Sequence, residues 1–232
     1  MAEIKMDDGK VVKQWGRRVG LLGGTFDPVH NGHLSLADYV LHLLELDSVL
    51  FIPAARPPHK GYAKVTSFKH RSAMVKIAVR DKPRFFVSDM ELQRCGPSYS
   101  VDTLKELRVF LGPGVHLFFI IGMDAFVELD TWKNGWQLLD YANFAVVARP
   151  DYSSELIGPL VNRLGYYSFD SVRSCWVAPD RLGRIYPVNM PPIAISSTDV
   201  RRKVGSGASL DGLISPAVSE YIGAHDLFGG DK

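Results

Sequence analysis

Residues 19–36 read VGLLGGTFDPVHNGHLSL, and the architecture expected of the whole chain follows from them. Val19, Leu21 and Leu22 form a short apolar run of the kind a buried parallel strand requires. Gly23-Gly24 ends that run, and backbone without side chains admits a ligand close to it. Pro28 stiffens the turn. From Asn31 onward, Leu36, Ala37, Val40, Leu41 and Leu44 recur with helical period and predict an amphipathic helix. His30 and His33 therefore flank the start of a helix that follows a glycine turn on a strand.

The first N–H groups of a helix lack intrahelical partners and carry partial positive charge, so such an end attracts phosphate. Two imidazoles three residues apart add donors to the same anion and gain full charge when a polyphosphate is near. Taken singly, each histidine reads as an ordinary surface or capping residue. The glycines, the proline, the histidines and the helix start converge on one loop, and that convergence favours a phosphate site. Neither a Walker phosphate loop nor a G-x-G-x-x-G pattern occurs.

GGTFDPVHNGHL resembles the HxGH signature of the nucleotidyltransferase superfamily, and in its full form that of bacterial nicotinate mononucleotide adenylyltransferases. The resemblance runs from about Val19 to Phe228. It implies a Rossmann-like α/β fold: a parallel sheet with helices on both faces and a small C-terminal helical portion. It also implies that His30 and His33 are catalytic, and that Gly23, Gly24, Thr25, Phe26 and Gly32 bind ATP.

At 232 residues the chain is long enough for one large domain, expected over 17–232 after a flexible extension, 1–16. A net charge of +2 does not demand a nucleic-acid surface, and none is expected. Cys95 and Cys175 offer no paired metal spacing; one disulfide stays open, and a reducing cytoplasm is the simpler expectation. The N-terminal stretch has no apolar core of the signal-peptide kind. The longest apolar runs, near Leu117–Ile121 and Phe144–Ala148, are too short to cross a bilayer, so no membrane role is expected.

Ser48–Ile52 reads as the second strand of a right-handed βαβ unit. The loop after it, from Arg56 to Arg71, carries Arg56, His59, Lys60, Lys64, Lys69, His70 and Arg71 and no acid. Most of these read as a solvated basic loop. Pro57-Pro58 holds the chain extended before His59 and Lys60, which makes those two candidates to reach an anionic substrate. PPHK also matches a segment that lies by the mononucleotide in the resembled enzymes. A helix over 68–79 and a short strand over 84–87 follow. GPSYSVDTL opens another helix, with Ser98 or Ser100 as cap and Asp102 in its first turn. It resembles the family's SYTxDTL segment, whose backbone at the position of Ser100 helps hold the pyridine carboxylate; serine here replaces the usual threonine.

Val115–Ile121 is the most apolar strand and the expected sheet centre, ending at Gly122-Met123-Asp124. Asp124 reads equally as a ribose ligand or a helix cap. GMDAFVELDTW resembles the family's GxDxxxxLxxW, with Phe126 for the usual leucine, which favours the ligand reading of Asp124 with Gly122. Trp132 and Trp136 share a face if both are helical. Trp136 reads as core and Trp132 as an aromatic free to stack on a pyridinium ring, the role its family counterpart has. Arg149, closing the strand over 143–148, reads equally as a phosphate contact or a solvated residue. A helix over 155–164, interrupted by Gly158 and Pro159, and short strands near Trp176 and over 185–188 complete this half.

Ile193–Ile195 is expected to finish a strand, and Ser196 or Ser197 to cap a short helix ended by Gly205. Arg201, one turn in, points back toward that end. ISSTDVR resembles ISSTxxR, the second nucleotide-binding signature of the superfamily, and implies Ser196, Ser197 and Thr198 as ATP contacts and Arg201 as catalytic. The implied reaction joins ATP and nicotinate mononucleotide, with Mg²⁺ carried on the ATP phosphates and no metal held by protein ligands. Alternatives are an adenylyltransferase acting on nicotinamide mononucleotide or phosphopantetheine, or a non-catalytic nucleotide-binding protein. Oligomeric state is not legible.

Overall fold

The computed structural model describes residues 14–58, 65–148, 152–179, 182–191 and 193–229. Residues 1–13 of the expected extension, and the candidates His59, Lys60 and Arg149, lie outside the described residues. Trp15, which also falls within that extension, is buried, and its carbonyl accepts from the Ser48 hydroxyl at 2.6 Å.

The strands are β1 (Arg18–Gly24), β2 (Ser48–Pro53), β3 (Phe85–Val87), β4 (His116–Gly122), β5 (Asn143–Val147), β6 (Ser168–Asp170), β7 (Cys175–Val177) and β8 (Ile185–Val188). They form one eight-stranded sheet in the order β3-β2-β1-β4-β5-β8-β7-β6. Pairing is parallel from β1 through β4 and β5 to β8. The apolar run at Leu117–Ile121 is central, as expected. The parallel expectation fails at one edge, where β7 pairs antiparallel with β8 and β6 antiparallel with β7. Between β6 and β7 the cause is local: Asp170 Oδ1 accepts from the N–H groups of Val172 and Arg173 at 3.0 and 3.1 Å, an Asx-type turn that folds the chain straight back.

The helices are α1 (Asn31–Leu43), α2 (Phe68–Val79), α3 (Ser100–Leu111), α4 (Met123–Val127), α5 (Ile157–Asn162), α6 (Ser197–Gly205) and α7 (Pro216–Ala224). The helix expected over 155–164 is a 3₁₀ turn, Ser154–Leu156, followed by α5. Pro159 is tolerated because it lies in the first turn, where its missing N–H would have no partner. The strand expected at Ile193–Ile195 does not form. Ile195 N–H bonds back to the Ile193 carbonyl at 2.9 Å, a tight local turn that removes the donor a ladder would need.

The chain divides into two compact units. The first comprises Met1–Leu22, Val40–Val49 and Tyr99–Pro192. Its core is aromatic: Phe144 is fully buried, 5.5 Å from Phe119 and 6.1 Å from Phe126 between ring centroids. The Arg108 guanidinium, half-buried there, donates to the carbonyls of Val115 and Tyr141; burial pushes its pKa down from the usual arginine value. The second unit comprises Gly23–Tyr39, Leu50–Ser98 and Ile193–Lys232. Phe51, Met74, Val75, Val200 and Val218 are buried in it. Cys95 and Cys175 are both free thiols. Among the described residues no helix is long and apolar enough to cross a membrane. Replacing Phe144 with Ala is expected to destabilise the protein by about 3–5 kcal/mol, read by denaturant unfolding, because two ring contacts and a full side-chain volume are lost from a closed core.

Candidate active site

The candidate residues fall into two groups, one in each unit. In the second unit the glycine loop leaves β1 at Gly23-Gly24. A side chain at Gly23 would meet no protein atom within 4 Å, so the backbone there is open. Gly24 is different: an added Cβ would lie 3.1 Å from the Phe26 ring, and the Gly24 carbonyl accepts from Ala54 N–H at 2.8 Å. Phe26 is buried and has its centroid 5.0 Å from His33 in an edge contact and 5.9 Å from Phe51. It therefore supports the second histidine from inside the unit.

His30 is only 7% exposed, and its ring stacks on His33 at 3.7 Å with the planes 28° apart. The backbone N–H of His30 donates to His33 Nδ1 at 3.2 Å. With Nδ1 accepting, neutral His33 carries its proton on Nε2 and offers that edge as a donor. The spacing needs Gly32: an added Cβ would sit 2.9 Å from His30 Nδ1 and 3.1 Å from its Cε1, and would force the ring away. The cradle of helix N–H groups expected over Asn31–His33 is partly used inside the protein. Asn31 N–H donates to the Leu213 carbonyl at 2.7 Å and His33 N–H to the His30 carbonyl at 2.9 Å. These bonds fix the entry of α1 instead.

The second signature lies against the first. Ser196 is the N-cap of α6; its Oγ accepts from Asp199 N–H at 3.1 Å and donates to Asp199 Oδ2 at 2.6 Å. Ser197 Oγ donates to the Pro28 carbonyl at 2.9 Å. Arg201 donates through Nη1 to the Asp27 carbonyl at 2.6 Å and through Nη2 to Thr198 Oγ1 at 3.3 Å. Positions 169 and 174 residues apart in sequence are thus joined through the Asp27-Pro28 turn that precedes His30.

Arg71 reads in the sequence as part of a solvated basic loop, and the structure corrects this. It is buried in the first turn of α2 and donates to the carbonyls of Thr25, Ala54 and Thr66. The signal in the sequence is its position, three and four residues before the core residues Met74 and Val75 on the inward face of the helix. Asp27 and Glu91, both buried, carry no such signal in the sequence.

In the first unit, Ser100 opens α3. Tyr99 is the N-cap with no side-chain cap bond, so neither serine caps this helix. Lys133 Nζ pairs with Asp102 Oδ2 at 3.0 Å and lies 4.5 Å over the Tyr99 ring, which ties the residue after Trp132 to the start of α3. Trp132 is partly exposed and meets Phe119 edge-on at 6.5 Å. Trp136, read as core, is only partly buried, like Trp132; it meets Phe126 edge-on at 5.6 Å and donates Nε1–H to Asp130. The two tryptophans do not share a helix. Trp132 follows a 3₁₀ turn, Leu129–Thr131, and Trp136 lies in another, Gly135–Asp140; Asn134, at φ 51°, breaks the period between them. Gly135 is required there: an added Cβ would stand 1.9 Å from the Leu129 carbonyl oxygen. Gly122 is the N-cap of α4, and Asp124 lies exposed in its first turn rather than capping it.

The cytidylyltransferase-like family model matches residues 21–203. A relative from Thermoanaerobacter sp. (strain X514), named "Probable nicotinate-nucleotide adenylyltransferase", is 39% identical over 93% of this chain and 96% of its own length. One of the same name from Thermus thermophilus is 42% identical over 91% of this chain and 99% of its own. The structure of Plasmodium falciparum nicotinic acid mononucleotide adenylyltransferase complexed with NaAD superposes with a TM-score of 0.70 at 21% identity, over 92% of this chain and 98% of that one, which shows the shared fold. Matched from Leu21 to Lys203 by the family and along nearly its full length by such relatives, the chain belongs to the cytidylyltransferase-like family, among its nicotinate-nucleotide adenylyltransferases.

Proposed function

We propose that the protein transfers the adenylyl group of ATP to nicotinate mononucleotide, giving nicotinate adenine dinucleotide and pyrophosphate as a step of NAD biosynthesis. The observation that carries this reading is the stacked His30–His33 pair latched through the Asp27-Pro28 turn to Arg201 and Ser197. Two imidazoles, a guanidinium and a helix start on one turn match the charge of a triphosphate and need no nucleophilic side chain.

In the reaction a phosphate oxygen of the mononucleotide bonds to the ATP α-phosphorus. The bond from that phosphorus to the bridging oxygen breaks, and pyrophosphate leaves with its electron pair. Positioning and charge stabilisation carry such a transfer. His33 Nε2–H, His30 and Arg201 stabilise charge on the α-phosphate and the departing pyrophosphate. Gly23, Gly24, Thr25, Phe26 and Gly32 line the nucleotide from the glycine loop, and Ser196, Ser197 and Thr198 from the start of α6. Gly122 and Asp124 serve the ribose. Among the described residues no group of three or more His, Cys, Asp and Glu side chains is set to hold a metal ion. In this reading ATP enters as its Mg²⁺ complex, the ion carried by phosphate oxygens and water.

On the acceptor side, Trp132 stacks on the pyridinium ring and the backbone at Ser100 reads its carboxylate. His59, Lys60 and Arg149 meet the acceptor's phosphate. Free thiols at Cys95 and Cys175 fit a reducing cytoplasm as the place of work.

The direct test is pyrophosphate release from MgATP with nicotinate and nicotinamide mononucleotides offered in parallel. Strong preference for nicotinate is expected; equal use refutes the carboxylate-reading role of Ser100 and Trp132, and no release with either refutes the reaction. His33→Ala is expected to lower kcat by about 10²–10³-fold with an unchanged melting temperature, as loss of one charge-stabilising donor does. Trp132→Ala is expected to raise KM for the mononucleotide by roughly 2–30-fold with kcat little changed, the equivalent of about 0.5–2 kcal/mol of ring stacking on a cation.

A further inference from the structure

The start of α3 holds a charge that opposes the binding of an anion there. Asp102 lies in the first turn, two residues past Ser100, and its side chain is half-buried. A carboxylate at that place suits the helix macrodipole. It also repels a second carboxylate brought to the same helix end. The backbone does not let Asp102 swing away. The amides of Asp102 and Thr103 both donate to the Tyr99 carbonyl, at 3.1 and 3.2 Å, and close the turn that carries it.

Lys133 answers that charge. Its Nζ stands 3.0 Å from Asp102 Oδ2 and 4.5 Å from the centroid of the Tyr99 ring. The ammonium therefore meets Tyr99 just before Ser100 and Asp102 just after Val101, and it belongs to the residue that follows Trp132 in the chain. Lys105, three residues further along α3, is turned elsewhere, 5.7 Å over the Tyr141 ring. The Lys133 side chain is 46% exposed, and an ion pair so open to water stabilises a fold little. Its consequence is local. With Lys133 the charge of Asp102 is cancelled at the helix start, and without Lys133 that end carries an uncompensated anion.

We propose that Lys133 is a specificity-determining residue of the acceptor site: by cancelling the charge of Asp102 it lets a pyridine carboxylate approach the start of α3. The proposal rests on the reading of Ser100 and Trp132 as acceptor contacts. The same ion pair also ties the chain after Trp132 to α3. Loss of that tie alone would weaken ring stacking for the acid and the amide alike. Charge cancellation acts only on the acceptor that bears the carboxylate, so the ratio between the two acceptors separates the roles.

The test measures kcat/KM for nicotinate and nicotinamide mononucleotides in the wild type, Lys133→Met, Asp102→Asn and the double variant, with folding checked by circular dichroism. Where turnover of the amide is slow, its affinity is read by competitive inhibition. Lys133→Met is expected to lower the preference for nicotinate by about three- to tenfold, through a higher KM for nicotinate mononucleotide. Asp102→Asn is expected to hold or raise the preference. The double variant, in which both charges are gone, is expected to return to within about twofold of the wild-type ratio, and so is Lys133→Arg, which keeps the charge. An equal loss with both acceptors assigns the pair a structural role and overturns the proposal. So does a preference that survives Lys133→Met, or one that the double variant does not regain. A wild type that uses both acceptors equally refutes the carboxylate-reading pocket itself, and the proposal falls with it.

Discussion

Two backbone carbonyls, those of Asp27 and Pro28, accept from Arg201 and Ser197, and the second unit's candidate site depends on that pair of bonds. Without them α6 would be a capped helix with an exposed arginine, and the glycine loop would be a turn with two histidines. With them the two signatures form one surface of donors. The bonds are side chain to main chain, so they hold the turn by its backbone and leave the imidazole edges to their own geometry. A charge-assisted bond from a guanidinium contributes more than a neutral one and keeps its direction.

The same economy appears in how each histidine is held. His33 is fixed by the His30 amide on one edge and the Phe26 ring on a face, and His30 by the His33 ring itself. Gly32 makes this possible by leaving no side chain against the His30 ring. The motif's spacing is thus a packing condition before it is a chemical one. A Cβ at position 32 would stand 2.9 Å from His30 Nδ1, so glycine there leaves the His30 ring the place from which it stacks on His33 at 3.7 Å.

Much of this is legible in the sequence because it rests on short-range pattern. The strand at Val19–Leu22, the glycine break and the helix face from Leu36 to Leu44 are periodicities that backbone geometry imposes. The cap at Ser196 is readable for the same reason, since it is a bond across three residues. What escapes reading depends on partners far along the chain. Arg71 looks like one of several loop cations because its three carbonyls lie 5, 17 and 46 residues away. The antiparallel edge is hidden because a three-residue strand carries too little alternation to reveal its direction. Trp132 and Trp136 suggest a shared helix face, and one left-handed residue, Asn134, breaks the period between them. Membership in the family, by contrast, follows from residues that stand contiguous in the sequence.

A loop whose two ends are fixed on one guanidinium is, in effect, a closed ring. Its closure entropy is set by the grip of Arg71 on Ala54 and Thr66 rather than by the residues between them. Ring closure depends only weakly on length, each doubling costing roughly 0.6 kcal/mol. Arg71 thereby fixes where the chain leaves β2 and where it enters α2, whatever the length of chain between Ala54 and Thr66.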